Sequence, residues 1–96
     1  MNTYWVYIMT NVDNVVLYTG VTNDLRRRVA EHKSRRGSKF TCKYNVTKLV
    51  FCESFGRIQN AIAAEKKIKV GSRAKKVKLV ESANPQCQDL YEQAFG

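Results

Sequence analysis

Tyr18-Thr19-Gly20-Val21-Thr22-Asn23-Asp24-Leu25-Arg26-Arg27-Arg28-Val29-Ala30-Glu31-His32 (residues 18–32) reads as a strand that runs into a glycine and then into a helix. That helix carries three successive arginines and the chain's only histidine. Gly20 is expected to let the backbone leave the strand in a conformation closed to other residues. Thr22 or Asn23 can accept a backbone N–H at the helix start, and Asp24 suits the positive end of the helix dipole. Leu25 and Val29, four residues apart, form the apolar stripe; Arg28 and His32, also four apart, fall on its edge. A tyrosine, an arginine and a histidine therefore meet at one strand-to-helix corner.

Upstream, Tyr4 to Thr10 (YWVYIMT) is dense in β-branched and aromatic residues and predicts a strand. Asn11 to Asn14 supplies turn chemistry, and Val15 to Thr19 predicts the second arm of a hairpin. An even loop puts Tyr7 and Tyr18 on one face of the sheet; an odd loop separates them. Downstream, the helix is expected over about 23–36, ended by Gly37-Ser38-Lys39. A basic connection bearing Phe40 and Tyr44 follows. Thr47 to Glu53 predicts a third strand, apolar enough to be the central one.

A second long helix is expected over 57–70, with Ile58, Ala61, Ile62 and Ile68 as its buried face. Glu65 falls seven residues after Ile58, near the centre of that face. A carboxylate aimed inward has to be ion-paired, protonated or metal-bound, because an isolated buried charge is too costly. Ser72 caps a further helix from Arg73 to about Ser82, and Asn84-Pro85 stops it. In the tail, Leu90, Tyr91 and Phe95 are expected to dock on the body. The order β-β-α-β-α-α predicts an α/β (α+β) domain with a small, largely antiparallel three-stranded sheet flanked by helices. One domain spans 1–96, with a core over about 4–85 and a tail from 86.

The chain of 96 residues has 17 Lys and Arg against 8 Asp and Glu, for a net charge of +9. Every one of the 17 lies between Arg26 and Lys78, so the charge is confined rather than spread. Such a balance points to a polyanion, nucleic acid being favoured over a membrane surface. Arg26, Arg27, Arg35, Arg36, Lys39, Lys43, Lys66, Lys69, Arg73, Lys75 and Lys76 are the candidate phosphate contacts. No signal-peptide pattern opens the sequence and no apolar run reaches the ~20 residues of a membrane helix, so a cytoplasmic location is expected. Three cysteines with wide spacings and one histidine form no zinc motif and are expected to be reduced packing residues.

Two tyrosines, an arginine, a histidine and an inward glutamate suit phosphodiester hydrolysis: a carboxylate for one hard divalent cation, an arginine fork for charge developing on phosphorus. These residues resemble those of the GIY-YIG nucleases. The first signature is matched by Trp5-Val6-Tyr7 and the second by Tyr18-Thr19-Gly20. Thr22, Asn23, Leu25 and Arg28 fall at the family's polar cap, leucine and arginine. The segment Ala61 to Glu65, followed by Lys66, Lys67, Ile68 and Lys69, looks like the family's metal-binding helix. Asn84-Pro85 looks like the late motif of its short, single-domain members, similar to the nuclease domain of the excision-repair incision subunit.

The resemblance implies an endonuclease that hydrolyses DNA with a single Mg²⁺ or Mn²⁺, in a setting such as repair or recombination. Tyr7 would activate water, Tyr18 and Arg28 would orient it and stabilise the phosphorane-like state, and His32 would assist by hydrogen bonding. Glu65 would bind the metal and Asn84 would help close the site. With no separate specificity domain, sequence recognition would call for a protein partner or a dimer. The competing reading is a non-catalytic nucleic-acid-binding module that keeps the nuclease fold.

Overall fold

A computed structural model describes residues 2–95. Three strands, β1 (Tyr4–Thr10), β2 (Leu17–Thr22) and β3 (Lys48–Phe55), form an antiparallel sheet in the order β2-β1-β3. Helices α1 (Leu25–Lys33) and the short α2 (Lys39–Lys43) precede β3; α3 (Ile58–Val70), α4 (Arg73–Ala83) and the short α5 (Tyr91–Phe95) follow it. The central strand is thus β1, not β3. Its last five residues are all buried, as a strand paired on both sides requires.

The hairpin turn is built by asparagines. Asn11 Oδ1 accepts from the backbone N–H of Val15 (2.8 Å) and Val16 (3.1 Å), and Asn14 takes a left-handed backbone at φ 58°. Six residues separate the Thr10–Leu17 pair, so the loop is even. Gly20 lies opposite Tyr7, Tyr18 lies opposite Met9, and both tyrosines share one face.

On that face Tyr7, Met9, Leu25, Val29, Val46 and Leu49 form one core, covered by α1 and by Leu90, Tyr91 and Phe95 of the tail. On the other, Ile8, Val50, Phe51 and Val80 form a second core with Leu17, Ile68 and Leu79. β3 reads as central because its outer edge is covered. Leu90 N donates to Leu49 O (2.7 Å), and Asp89 Oδ1 accepts from the N–H groups of Leu49 (3.2 Å) and Tyr91 (3.1 Å). Asp89 also pairs with Lys33 of α1. Burial alone would push the Asp89 carboxyl up; Lys33 and the two amides outweigh it and hold the group below the usual carboxylate value.

Several helix expectations need correction. Asp24 is the N-cap of α1, accepting from Arg27 N at 3.1 Å, while Thr22 Oγ1 accepts from Asp24 N at 3.1 Å. The connection expected after residue 38 contains α2, capped by Ser38. α3 lies across all three strands but buries only Ala61 completely; Ile58 and Ile62 are exposed and Ile68 is half-buried. A small residue lets the α3 backbone approach the sheet, which lifts the larger isoleucines to the rim.

Candidate active site

The corner anticipated at residues 18–32 exists, and its centre is Tyr7. This side chain is 1% exposed and lies over Gly20. A Cβ on Gly20 would stand 2.5 Å from the Tyr7 hydroxyl oxygen. Gly20 therefore matters because it lacks a side chain. Its φ is not positive and it sits within β2, contrary to the turn role expected of it.

The Tyr7 hydroxyl meets His32 Nε2 at 3.1 Å, and the Tyr18 ring stands edge-on to His32 with centroids 5.4 Å apart. Tyr7 and Tyr18 are 6.3 Å apart, centroid to centroid. His32 is 1% exposed rather than at the edge of the helix stripe. Burial, then the charge of Arg28, lowers its pKa to about 4, against a partial opposing effect of Glu31, so the ring is neutral at pH 7.

Arg28, one turn before His32, is half-buried and donates from Nη1 to Glu31 Oε1 at 3.2 Å. Its own pKa is raised further, chiefly by the nearby Tyr7 hydroxyl, with Glu31 and Tyr18 adding to the rise and burial opposing it. Burial nevertheless dominates at Tyr7 and pushes its pKa up to about 12, with Arg28 opposing and the charges of Tyr18 and Glu65 adding to the rise. Next to an arginine alone, Tyr7 is a neutral phenol.

Glu65 is near enough to Tyr7 for its charge to be felt there. Its side chain is 16% exposed, so the inward orientation read from the helical period is substantially correct. Its ionic partner is Lys69 of the same helix (3.3 Å), not an arginine beneath. Among the described residues no cluster of three or more Asp, Glu, His or Cys could cage a metal. A lone half-buried carboxylate does fit one hard cation that keeps most of its ligands as water and substrate oxygens, the habit of Mg²⁺.

Asn84 is not brought to this cluster. Its Nδ2 donates to Val50 O (3.1 Å) and Gln88 O (2.8 Å), and its Oδ1 accepts from Gln88 N (3.1 Å). Val50 is the extra residue where pairing to β1 skips between Phe51 and Leu49, so Asn84 satisfies a carbonyl at a bulge. The amide ties the C-terminal segment to β3.

Two contacts near the site escaped the sequence reading, and the Phe40–Tyr44 connection, which did not, gains a link to Tyr18. Thr41, 2% exposed, meets His32 Nδ1 through its hydroxyl at 3.0 Å. Gly37 packs so closely on the imidazole that a Cβ would fall 2.3 Å from Nδ1. The Tyr18 ring continues into an exposed stack, 6.1 Å to Phe40 and 5.0 Å from Phe40 to Tyr44, with Lys43 over Tyr44 at 5.3 Å. Ser38 and Thr41 at cap spacing were the available signal for α2, but nothing local linked them to His32.

The basic candidates differ in setting. Arg26, Arg27, Arg35, Arg36, Lys39, Lys43, Lys66, Lys69, Arg73 and Lys75 are exposed, and Lys76 is half-buried. Arg73 donates to Asn14 O at 3.2 Å, and Lys69 is occupied by Glu65. Among the described residues no helix is long and apolar enough to cross a membrane. Cys42, Cys52 and Cys87 are free.

The model of the GIY-YIG catalytic domain matches residues 3–78. A UPF0213 protein of Natronomonas pharaonis is 42% identical over 77 residues, covering 80% of this chain and 89% of that protein. The UPF0213 protein YazA of Bacillus subtilis is 33% identical and covers 97% of this chain and 93% of its own length. The solution NMR structure of the UPF0213 protein BH0048 from Bacillus halodurans superposes with a TM-score of 0.59 at 32% identity, over 91% of this chain and 92% of that one. With the paired tyrosines, Gly20 and Arg28 in the arrangement described, the chain belongs to the GIY-YIG family.

Proposed function

We propose that this protein is a divalent-metal-dependent endonuclease that hydrolyses DNA phosphodiester bonds. The observation that carries the reading is the convergence of Tyr7, Tyr18, Arg28 and His32 in one buried-to-exposed corner within electrostatic reach of Glu65. Confined basic charge supports a polyanionic substrate.

Glu65 would hold the cation, Mg²⁺ or Mn²⁺, and Lys69 would release the carboxylate to let it bind. When bound, the ion would neutralise charge on phosphate oxygens. Arg28 is half-exposed and charged at any working pH, so its fork can turn from Glu31 to the phosphate. Tyr7 takes a proton from water as its own hydroxyl proton passes to neutral His32; one O–H bond breaks at water, one is exchanged at Tyr7, and an N–H forms at Nε2. This route needs no free phenolate, whose formation burial opposes. It charges His32 instead, which burial and Arg28 also oppose until the phosphate's negative charge lies beside the ring. Tyr18 orients the water, and Asn84 acts at a distance by securing the β3 bulge.

The test is cleavage of supercoiled, flapped, branched and single-stranded DNA in Mg²⁺ or Mn²⁺, with and without EDTA. Metal-dependent cleavage that disappears in Arg28→Ala supports the proposal. Salt-sensitive binding with no cleavage of any substrate would favour the non-catalytic binding module instead.

A further inference from the structure

We infer that Thr41 is a positioning residue that fixes His32 as its Nδ1–H tautomer, so that Nε2 is held as the acceptor for the Tyr7 hydroxyl. The inference deepens the nuclease reading above and rests on it for its catalytic consequence, though not for the tautomer itself.

The assignment follows from counting donors at both ends of one chain of contacts. At the Thr41 end, the hydroxyl has a single hydrogen and lies 3.0 Å from the carbonyl oxygen of Ser38, which can only accept. Thr41 spends its hydrogen there. It must therefore accept at its 3.0 Å contact with His32 Nδ1, which puts the imidazole hydrogen on that nitrogen. Ser38 Oγ, 3.2 Å away, can donate to the second lone pair of Thr41 while accepting from Thr41 N at 3.2 Å.

At the Tyr7 end the same answer appears independently. The phenolic hydrogen of neutral Tyr7 needs an acceptor, and among the described residues the one hydrogen-bond partner of its hydroxyl is His32 Nε2, at 3.1 Å. In the opposite tautomer, Tyr7 would accept from His32, leaving its own hydrogen without a partner in a 1%-exposed position. Gly37 completes the arrangement, because any side chain there would displace the imidazole from Thr41. The short α2 thus has a purpose in the site: it holds one hydroxyl against one ring nitrogen.

His32 is the only histidine, so its two ring nitrogens can be observed in ¹⁵N-labelled protein without assignment ambiguity. Two-bond ¹H–¹⁵N correlation spectra at pH 7.5 should show Nδ1 protonated and Nε2 unprotonated in the wild type. Thr41→Val should move the ring toward Nε2–H and lower the rate of DNA cleavage about 10–100-fold, the usual cost of losing an outer-shell partner. Thr41→Ser, which keeps the hydroxyl, should restore both. A wild-type ring protonated at Nε2 would overturn the inference whatever the cleavage data show, as would a Thr41→Val ring unchanged from the wild type. Should Thr41→Val fail to fold, the wild-type and Thr41→Ser spectra still decide. The predicted tautomer in a protein that cleaves no DNA would support the Thr41 assignment while sinking the nuclease reading.

Discussion

Acidification to pH 5 should destabilise this protein through one residue. His32 is 1% exposed and neutral, with a folded pKa of about 4, whereas an unfolded histidine titrates near ~6.5. The folded value is the lower one, so the unfolded chain binds the proton first. Stability is fully present above about pH 6.5 and is lost as the pH falls toward 4. At ~1.36 kcal/mol per pH unit the whole interval is worth about 3 kcal/mol, of which about 2 kcal/mol has gone by pH 5. That is a large fraction of a typical ~5–15 kcal/mol. Asp89, whose carboxyl is held below its ordinary value, acts in a lower window, because a depressed carboxylate loses its stabilisation only as pH falls below ~4.

Urea unfolding followed by circular dichroism at pH 8 and pH 5 measures the difference. With a slope of ~1–2 kcal/mol/M, the midpoint should fall by roughly 1–2 M. His32→Gln, which has nothing to titrate at that position, should show little change between the two conditions. Equal wild-type midpoints at the two pH values, or an equal fall in His32→Gln, would refute the reasoning.

Gly20→Ala places a methyl 2.5 Å from the Tyr7 hydroxyl; overpacking should cost ~1–3 kcal/mol, and the Tyr7–His32 hydrogen bond should be lost, seen as a changed His32 ring signal. Asn84→Ala leaves the Val50 carbonyl and both Gln88 backbone groups without their buried partner. A loss of about 2–3 kcal/mol, read as a Tm lower by on the order of 10 °C, is expected, with cleavage per folded molecule largely kept. Phe40→Ala removes the middle of the exposed stack beyond Tyr18, and fluorescence anisotropy should show single-stranded oligonucleotide binding weakened by ~1–3 kcal/mol; undiminished binding would make Phe40 a mere cover for the core edge.

The sequence was most informative where the periodicity of a single element decides the outcome. The β-branched run at residues 4–10, the even hairpin loop and the Leu25–Val29 stripe each needed only local rules, and together they place Tyr7 beside Tyr18. Long-range substitutes for local patterns misled. β3 is apolar like a central strand because Asp89 and Leu90 take over its open edge, forty residues downstream. Gly20 carries the same letter whether a residue must turn or must lack a side chain, and only the position of Tyr7 across the hairpin tells the two apart. The burial of His32 depends on Gly37 and Thr41 closing over it, a contact that no helical wheel contains. Glu65 was legible as an inward carboxylate, but its Lys69 partner on the same helix face was one of several basic neighbours with equal claim.

The central claim is that Glu65 supplies the cation to a corner built by Tyr7, Tyr18, Arg28 and His32. Its most direct test is the initial rate of DNA cleavage by the wild type and Glu65→Gln, measured across a range of Mg²⁺ concentrations. The account predicts a Mg²⁺-dependent wild-type rate and a loss of at least about 100-fold in Glu65→Gln, the scale of removing one electrostatic stabiliser from a transition state. Cleavage by Glu65→Gln at the wild-type rate, with the same Mg²⁺ dependence, would contradict it.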